Sequence, residues 1–259
     1  MICVAGRAWT EPVGIAITPH VMMKLADLRR EYNKAGGLRR TDLNPNPIAQ
    51  FENWFAHARE TKSPGNFFRR VGVTTYKWLQ LVRGKNIVEV NAMTLATVDA
   101  NGRPSARVVL LKGVDERGFI FFTQYEGRKG GELAENPNAA LVFYWPELER
   151  QVCVAGEVAK ISNAESKAYF KTRPKGSQLA AWVSRQSEVV SDRHYLESHM
   201  KRLERDYAVH EVPMPPYWGG YVLSPRSVEF WQGRPNRLHD RLLYTKQENN
   251  TWKIERLAP

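Results

Sequence analysis

The spacing of hydrophobic positions changes near residue 90. Upstream, Ile48, Phe51, Trp54 and Phe55 recur at helical intervals behind Pro47, which suits a first helical turn, so the spacing predicts a helix over about 47–60. LADLRREY (25–32) is charged and compatible with a helix. From residue 91 the pattern becomes that of strands: NAMTLATV, PSARVVLLKGV, FIFFTQY, AALVFYW and RQVCVAGEVAKIS, broken by DANG, DERG and PELE turns. RKGGELAENP reads as a short helix ending near Pro137. Ser162 and Glu165 form a capping box for a helix to about Lys171, which Arg173-Pro174 stops. A further helix is expected over Asp192–Tyr207, with Leu196, Met200 and Leu203 on one face. GGYVLSP, SVEFWQG, RLLYTK and TWKIERLA supply the remaining strands. Short strands joined by tight turns point to an antiparallel barrel or sandwich with flanking helices, a mainly β, α+β class.

Composition narrows the class of protein. A chain of 259 residues with 42% hydrophobic and 25% charged residues suits one sizeable globular domain. No apolar run reaches the roughly 18 residues of a membrane span. The two cysteines, Cys3 and Cys153, make neither a disulfide framework nor a zinc site. A reducing cytoplasm is the expected compartment. Residues 1–24 are expected to be a flexible tail before a single domain over 25–259.

The formal net charge is +11. Much of it comes from 61–88, which holds Lys62, Arg69, Arg70, Lys77, Arg83 and Lys85 and no acid. Without that segment the chain is mildly basic, which weakens a nucleic-acid reading. RVVLLKG and FIFFTQY also lack the alternation of aromatic and basic residues that an open single-strand-binding face needs.

No GxGxxG, P-loop or HExxH occurs. Basic residues instead recur beside small or hydroxylic ones. Arg107 and Lys112 bracket RVVLLK, with Arg107 and Val109 on one face and Lys112 on the other. Thr123 ends the next strand, and Arg128 and Lys129 open a helix whose free N–H groups favour phosphate. Arg173, Lys175, Ser177 and Gln178 form a second cluster, and Gln186 with Ser187 a third. WQGRPNRLHDR (231–241) is the fourth, with three arginines and a histidine against Asp240 alone. Taken singly, each has a bland reading: a solvated rim arginine, an edge glutamine at Gln151, a core Trp231, a surface His239. Four together exceed the needs of one phosphate and suggest two phosphorylated ligands.

These stretches resemble the pyridoxamine 5'-phosphate oxidase family. The resemblance lies in LRREY, GGLRR, NAMTLATVDANGRPSARVVLLKG, FFTQYEGRKGGEL, NPNAALVFYW, ERQVCVAGEV, YFKTRPKGSQLAAWVSRQS, WGGY, EFWQGRPNRLHDR and ERLAP. It implies an FMN-binding split β-barrel and a homodimer with FMN at the subunit interface. It implies that Arg107, Arg128 and Lys129 meet the FMN phosphate. Val108, Val109, Leu110, Phe122 and Thr123 would line the cofactor, and Gln151, Gln186, Ser187, Trp231 and Arg241 would reach its ring and ribityl chain. The substrate phosphate would fall to Lys112, Tyr169, Arg173 and Ser177, and the pyridine ring to Arg237, Leu238 and His239. Arg237 and His239 are the expected catalytic residues, Arg237 by positioning the substrate.

The implied reaction oxidises pyridoxamine and pyridoxine 5'-phosphates to pyridoxal 5'-phosphate, with dioxygen reduced to hydrogen peroxide. No metal, nucleic acid or membrane is called for. The competing reading is a catalytically weak relative that binds flavin or pyridoxal phosphate. The stretch 61–88 departs from the family pattern, which has a shorter link there. It is expected to be a surface insertion outside the site, tolerated because longer loops cost little closure entropy.

Overall fold

The computed structural model describes residues 31–32, 36–61 and 89–259. The expected tail (1–24) and nearly all of the basic insertion (61–88) lie outside the described residues. Eight strands pair antiparallel throughout: β1 Ala92–Val98, β2 Pro104–Asp115, β3 Gly118–Gln124, β4 Asn138–Trp145, β5 Arg150–Lys160, β6 Trp218–Gln232, β7 Asp240–Lys246 and β8 Trp252–Leu257. Their order is β3-β2-β1-β4-β5-β6-β7-β8, and a further β3–β6 pairing closes β1 to β6 into a six-stranded barrel. β7 and β8 continue the sheet from the far half of β6.

Alternation sets the core. Met93 and Leu95 on β1, Leu141 and Phe143 on β4, Val152 and Val154 on β5, and Val228 and Phe230 on β6 all point inward and are buried. Helix α1, Pro47–Thr61, adds Phe51 and Trp54 to this core. The Phe51 ring centroid lies 4.9 Å from Phe119 and 4.8 Å from Phe143. Burying an aromatic of this size contributes about 1.5–3 kcal/mol.

β6 is one strand of 15 residues, where the sequence reads as two pieces around Ser224-Pro225. Proline has no N–H for the ladder, so the strand bulges there instead of ending. The register against β5 shifts between Ala155 and Gly156. A Cβ on Gly156 would fall 2.0 Å from the Ser224 carbonyl oxygen, so the bulge needs glycine.

Among the described residues four more α-helices follow α1: α2 Arg128–Glu135, α3 Asn163–Thr172, α4 Lys175–Val183 and α5 Arg193–Asp206. The capping box of α3 forms as expected, with Ser162 Oγ accepting from the Glu165 N–H at 3.1 Å. Such a cap contributes about 1 kcal/mol. α4 is an element the sequence reading did not assign: the polar cluster at Arg173, Lys175, Ser177 and Gln178 turns helical directly after Pro174, and the helix buries Leu179 and Ala181. Those two join Phe170, Val212 and Trp218 in a second, smaller core.

Candidate active site

Two anion-ready clusters gather where β3 ends. In the first, α2 lays Lys129 against the barrel, where it is buried. Its ammonium donates to Thr123 Oγ1 at 3.2 Å and to Gln186 Oε1. Thr123 also donates to Gln186 Oε1, at 3.0 Å. Burial, and then the Arg107 charge, push the lysine below its usual pKa range, while Glu132 pulls it back. Two cations thus converge in a partly dry place beside one acid, an arrangement that suits a dianion.

The loop after α4 completes this cluster. Gln124, buried at the end of β3, donates to the Ala181 and Ser184 carbonyls and accepts from the Gln186 N–H at 2.7 Å. Ser187 is held at φ 75°, in the left-handed region that a serine rarely adopts, and its Oγ accepts from the Arg128 N–H at 3.3 Å. Arg107 reaches the same cluster from within β2. The expectation that it and Lys112 bracket a strand is corrected, since β2 runs on to Pro104 and Asp115. Val109 faces inward with Arg107, and Leu110 is half-buried. Val108 is 67% exposed on the outer face, which Lys112 shares.

The second cluster is aromatic and cationic. Phe122 stacks on Tyr169 with centroids 3.9 Å apart and on Trp218 at 5.4 Å. The Arg173 guanidinium lies 4.7 Å from the Trp218 centroid, and its buried Nη1 has no hydrogen-bond partner among the described residues. Burial pushes this arginine below its usual pKa. A buried unpaired donor costs about 1–3 kcal/mol, which an anion would remove. Ser177 sits beside it in the first turn of α4, whose N-terminus has no side-chain cap.

The remaining expected residues lie elsewhere on the chain. Gln151, Trp231 and Arg241 are cross-strand neighbours on β5, β6 and β7. Arg241 grips Glu229 at 2.7 and 3.0 Å and donates to the Ala258 carbonyl at 3.0 Å. Glu229 raises its pKa, so its charge is permanent. The β6–β7 loop carries Asn236 and Arg237 at φ 56° and 60°, strained at about 1–3 kcal/mol each. Arg237 is exposed and Leu238 is 69% exposed. Asp240 ties the base of the loop to the Leu38 N–H at 2.9 Å and to Arg256 at 2.5 Å.

His239 Nδ1 accepts the Arg234 N–H at 3.1 Å, which leaves the proton of the neutral ring on Nε2. Its ring lies 4.7 Å from Trp231 and 5.5 Å from Tyr32. Burial, then the charge of Arg237, lowers its pKa from the ordinary 6.5.

Distance separates this third group from the first two. Thr123 pairs with Gly219, and Trp231 lies twelve positions further along β6. At about 3.3 Å per residue that is on the order of 40 Å of strand. One chain therefore does not bring all the expected residues together.

Several contributors were not anticipated. Thr97, Ser105 and Glu132 surround Arg107, and Gln124 holds the Gln186 loop. Tyr32 packs edge-on against both Trp231 and His239, and a Cβ on Gly233 would fall 2.7 Å from its ring. Thr97 had a readable signal, being a polar residue at an inward position of β1 after Met93 and Leu95. A cavity of about 660 Å³ lined by Glu52, Asp115, Arg117 and Trp252, among others, contains none of the expected residues.

A closed antiparallel barrel thus carries two clusters of cationic side chains where β3 ends, and a strained loop with Arg237 and His239 between β6 and β7. Residues 84–205 match the family model described as pyridoxamine 5'-phosphate oxidase. Residues 218–259 match the pyridoxine 5'-phosphate oxidase C-terminal dimerisation region. A pyridoxine/pyridoxamine 5'-phosphate oxidase of Burkholderia mallei (strain SAVP1) is 52% identical over 240 residues, covering 92% of this chain and all of that one. A relative of the same name from Paraburkholderia phymatum is 51% identical over 238 residues, with coverage of 92% and 100%. Among solved structures, PhzG from Burkholderia lata 383, in complex with tetrahydrophenazine-1-carboxylic acid, superposes with a TM-score of 0.63 at 33% identity, over 72% of this chain and 91% of that one. An FMN-binding protein of Nostoc punctiforme (TM-score 0.55, 20% identity, 73% and 98% covered) shares the fold. The chain belongs to the pyridoxamine 5'-phosphate oxidase family. Among the described residues no helix is long and apolar enough to cross a membrane.

Proposed function

We propose that the protein is an FMN-dependent oxidase that converts pyridoxamine and pyridoxine 5'-phosphates to pyridoxal 5'-phosphate, working as a homodimer with a shared site. The observation that carries this reading is the pair of anion clusters on one end of the barrel, far along β6 from Trp231, Arg237 and His239. A second copy supplies the missing loop, and the matched dimerisation region supports that arrangement.

The residues fit the cofactor. The buried Lys129 and Arg107, with the Arg128 N-terminus of α2, suit the FMN phosphate. Thr123, Gln186 and Ser187 add neutral hydrogen-bonding groups beside them. Val108, Val109, Leu110 and Phe122 would flank the flavin. From the partner copy, Gln151, Trp231 and Arg241 would meet its ring. FMN held there would supply the two-electron redox chemistry: a hydride acceptor for the substrate 4'-carbon, with dioxygen as the final electron acceptor and hydrogen peroxide as its product.

The chain's own groups do the placing. Arg173, Ser177, Tyr169 and Lys112 would hold the substrate phosphate, and the unpaired Arg173 Nη1 supports this. Arg237 and Leu238 would press on the pyridine ring. His239 would serve as a donor through Nε2, since its Nδ1 is engaged. Purified protein should carry a flavin spectrum that bleaches anaerobically when pyridoxamine 5'-phosphate is added. A protein that binds FMN but never bleaches would be the catalytically weak relative. Bleaching only with a tricyclic carboxylate, the class of ligand bound in the PhzG complex, would transfer the assignment to that chemistry.

The His239 geometry has a pH consequence. The charged groups near its ring are Arg237 and, at the loop base, Asp240 with Arg234 and Arg256. Nε2–H donates in either state, but protonation puts a hydrogen on Nδ1 and ends its bond from the Arg234 N–H, so this loop contact is kept at and above the ordinary pKa and lost as pH falls through the lower folded value. KM for pyridoxine 5'-phosphate should therefore climb only below pH 6.5. In His239→Asn, which accepts the same N–H without titrating, that acid limb should vanish. An unchanged limb in steady-state pH profiles would remove His239 from this role.

A further inference from the structure

One buried carboxylate has no place in the scheme so far. Glu132 lies one turn after Lys129 on α2, so both occupy the face laid against the barrel. A single oxygen, Oε2, accepts from Thr97 Oγ1 at 2.5 Å, Ser105 Oγ at 2.7 Å and Arg107 Nη2 at 3.1 Å. The same hydroxyls accept from the guanidinium: Thr97 from Nη1 at 2.5 Å, and Ser105 from Nη2. Thr97 and Ser105 face each other across β1 and β2, and Leu95, the β1 partner of Arg107, adds its carbonyl at 3.4 Å. Burial alone would raise the pKa of this carboxyl, but the bonds from Thr97, Ser105 and Arg107 outweigh it and keep Glu132 ionised.

The clamp uses the two terminal nitrogens of Arg107. Those four bonds use all four of its Nη–H groups, and the Nε–H, with no acceptor among the described residues, is the one donor left for another anion. An arginine stem has rotamer entropy to lose on binding, and a preformed clamp removes most of that loss beforehand. The cost is a negative charge near an incoming phosphate. Thr97 and Ser105 lessen it by directing both hydroxyl protons at the carboxylate.

We propose that Glu132 is a positioning residue for the flavin phosphate: it fixes Arg107, through Thr97 and Ser105, with the guanidinium Nε–H left to the cofactor. This rests on the reading of Arg107 and Lys129 as the FMN phosphate cradle. Riboflavin, which lacks the phosphate, separates positioning from general support of the fold. By fluorescence titration of the deflavinated dimer, Glu132→Ala should weaken FMN binding about tenfold and riboflavin binding by less than about twofold. Glu132→Gln keeps an oxygen acceptor at the same reach and should restore FMN affinity to within about threefold of the wild type. Ser105→Ala loosens the same clamp with a minimal change and should show the selective loss at about threefold, even if Glu132→Ala does not fold.

Equal loss of both flavins would make Glu132 a support for the fold only, and unchanged or tighter FMN binding would make it a mere competitor for Arg107. Either result overturns the proposal. Lys129→Ala separates the two levels. If it too fails to distinguish FMN from riboflavin, the phosphate cradle is wrong. If it distinguishes them and the Glu132 and Ser105 variants do not, only the positioning role is lost.

Discussion

Lys129→Ala is expected to bind FMN roughly 10- to 100-fold more weakly than the wild type, with riboflavin affinity within about twofold. The size follows from the lysine's surroundings. It is buried, its ordinary charge is disfavoured by burial and by Arg107, and its hydrogen-bond partners, Thr123 and Gln186, are neutral. A phosphate there gains a charge-assisted bond in a poorly solvated place, at about 1.5–3 kcal/mol. Equilibrium titration of deflavinated protein measures it directly. Equal weakening of the two flavins would place the phosphate elsewhere.

Arg173→Ala is expected to raise KM for pyridoxine 5'-phosphate about 100-fold while the protein keeps its flavin. The arginine has a buried Nη1 without a partner among the described residues and lies over Trp218, so it is held in place before any ligand arrives. The effect should fall on substrate affinity more than on turnover, because the phosphate is remote from the carbon oxidised. Steady-state kinetics with flavin content measured in parallel give the split. Loss of flavin with unchanged KM would assign Arg173 to the cofactor instead.

Much of the barrel was legible because alternation is a local property. Met93, Leu95 and Thr97 stand at every second position of β1 and all point inward. The α3 cap was legible for the same reason, since Ser162 and Glu165 satisfy each other within four residues. What failed depended on tertiary context. Ser224-Pro225 signals a break in isolation, but β5 accommodates it with a bulge and β6 continues. The start of α4 has Pro174 at its N-cap and no side-chain cap, so it carried no capping signal of its own.

The candidate site divides in the same way. Individual basic residues could be named from the sequence and the family resemblance. Their counter-groups could not, since Thr97, Ser105 and Glu132 come from three elements that only the closed barrel brings together. Nor could the separation of Trp231 from Thr123, which is set by the antiparallel pairing of β3 and β6. Tyr32 was visible within LRREY, yet nothing local indicated that its ring would meet Trp231 and His239.

The central claim is that one working site is assembled from two copies of this chain. The most direct measurement is the pyridoxine 5'-phosphate oxidase activity of mixed dimers, made by co-expressing Lys129→Ala with Arg237→Ala at equal levels. Each variant alone should be nearly inactive. If the anion clusters come from one copy and the β6–β7 loop from the other, each mixed dimer has one site free of both substitutions. Random pairing then recovers about a quarter of wild-type activity. If both residues serve a site within a single chain, every site keeps a substitution, and activity no greater than the average of the two parents would contradict the shared site.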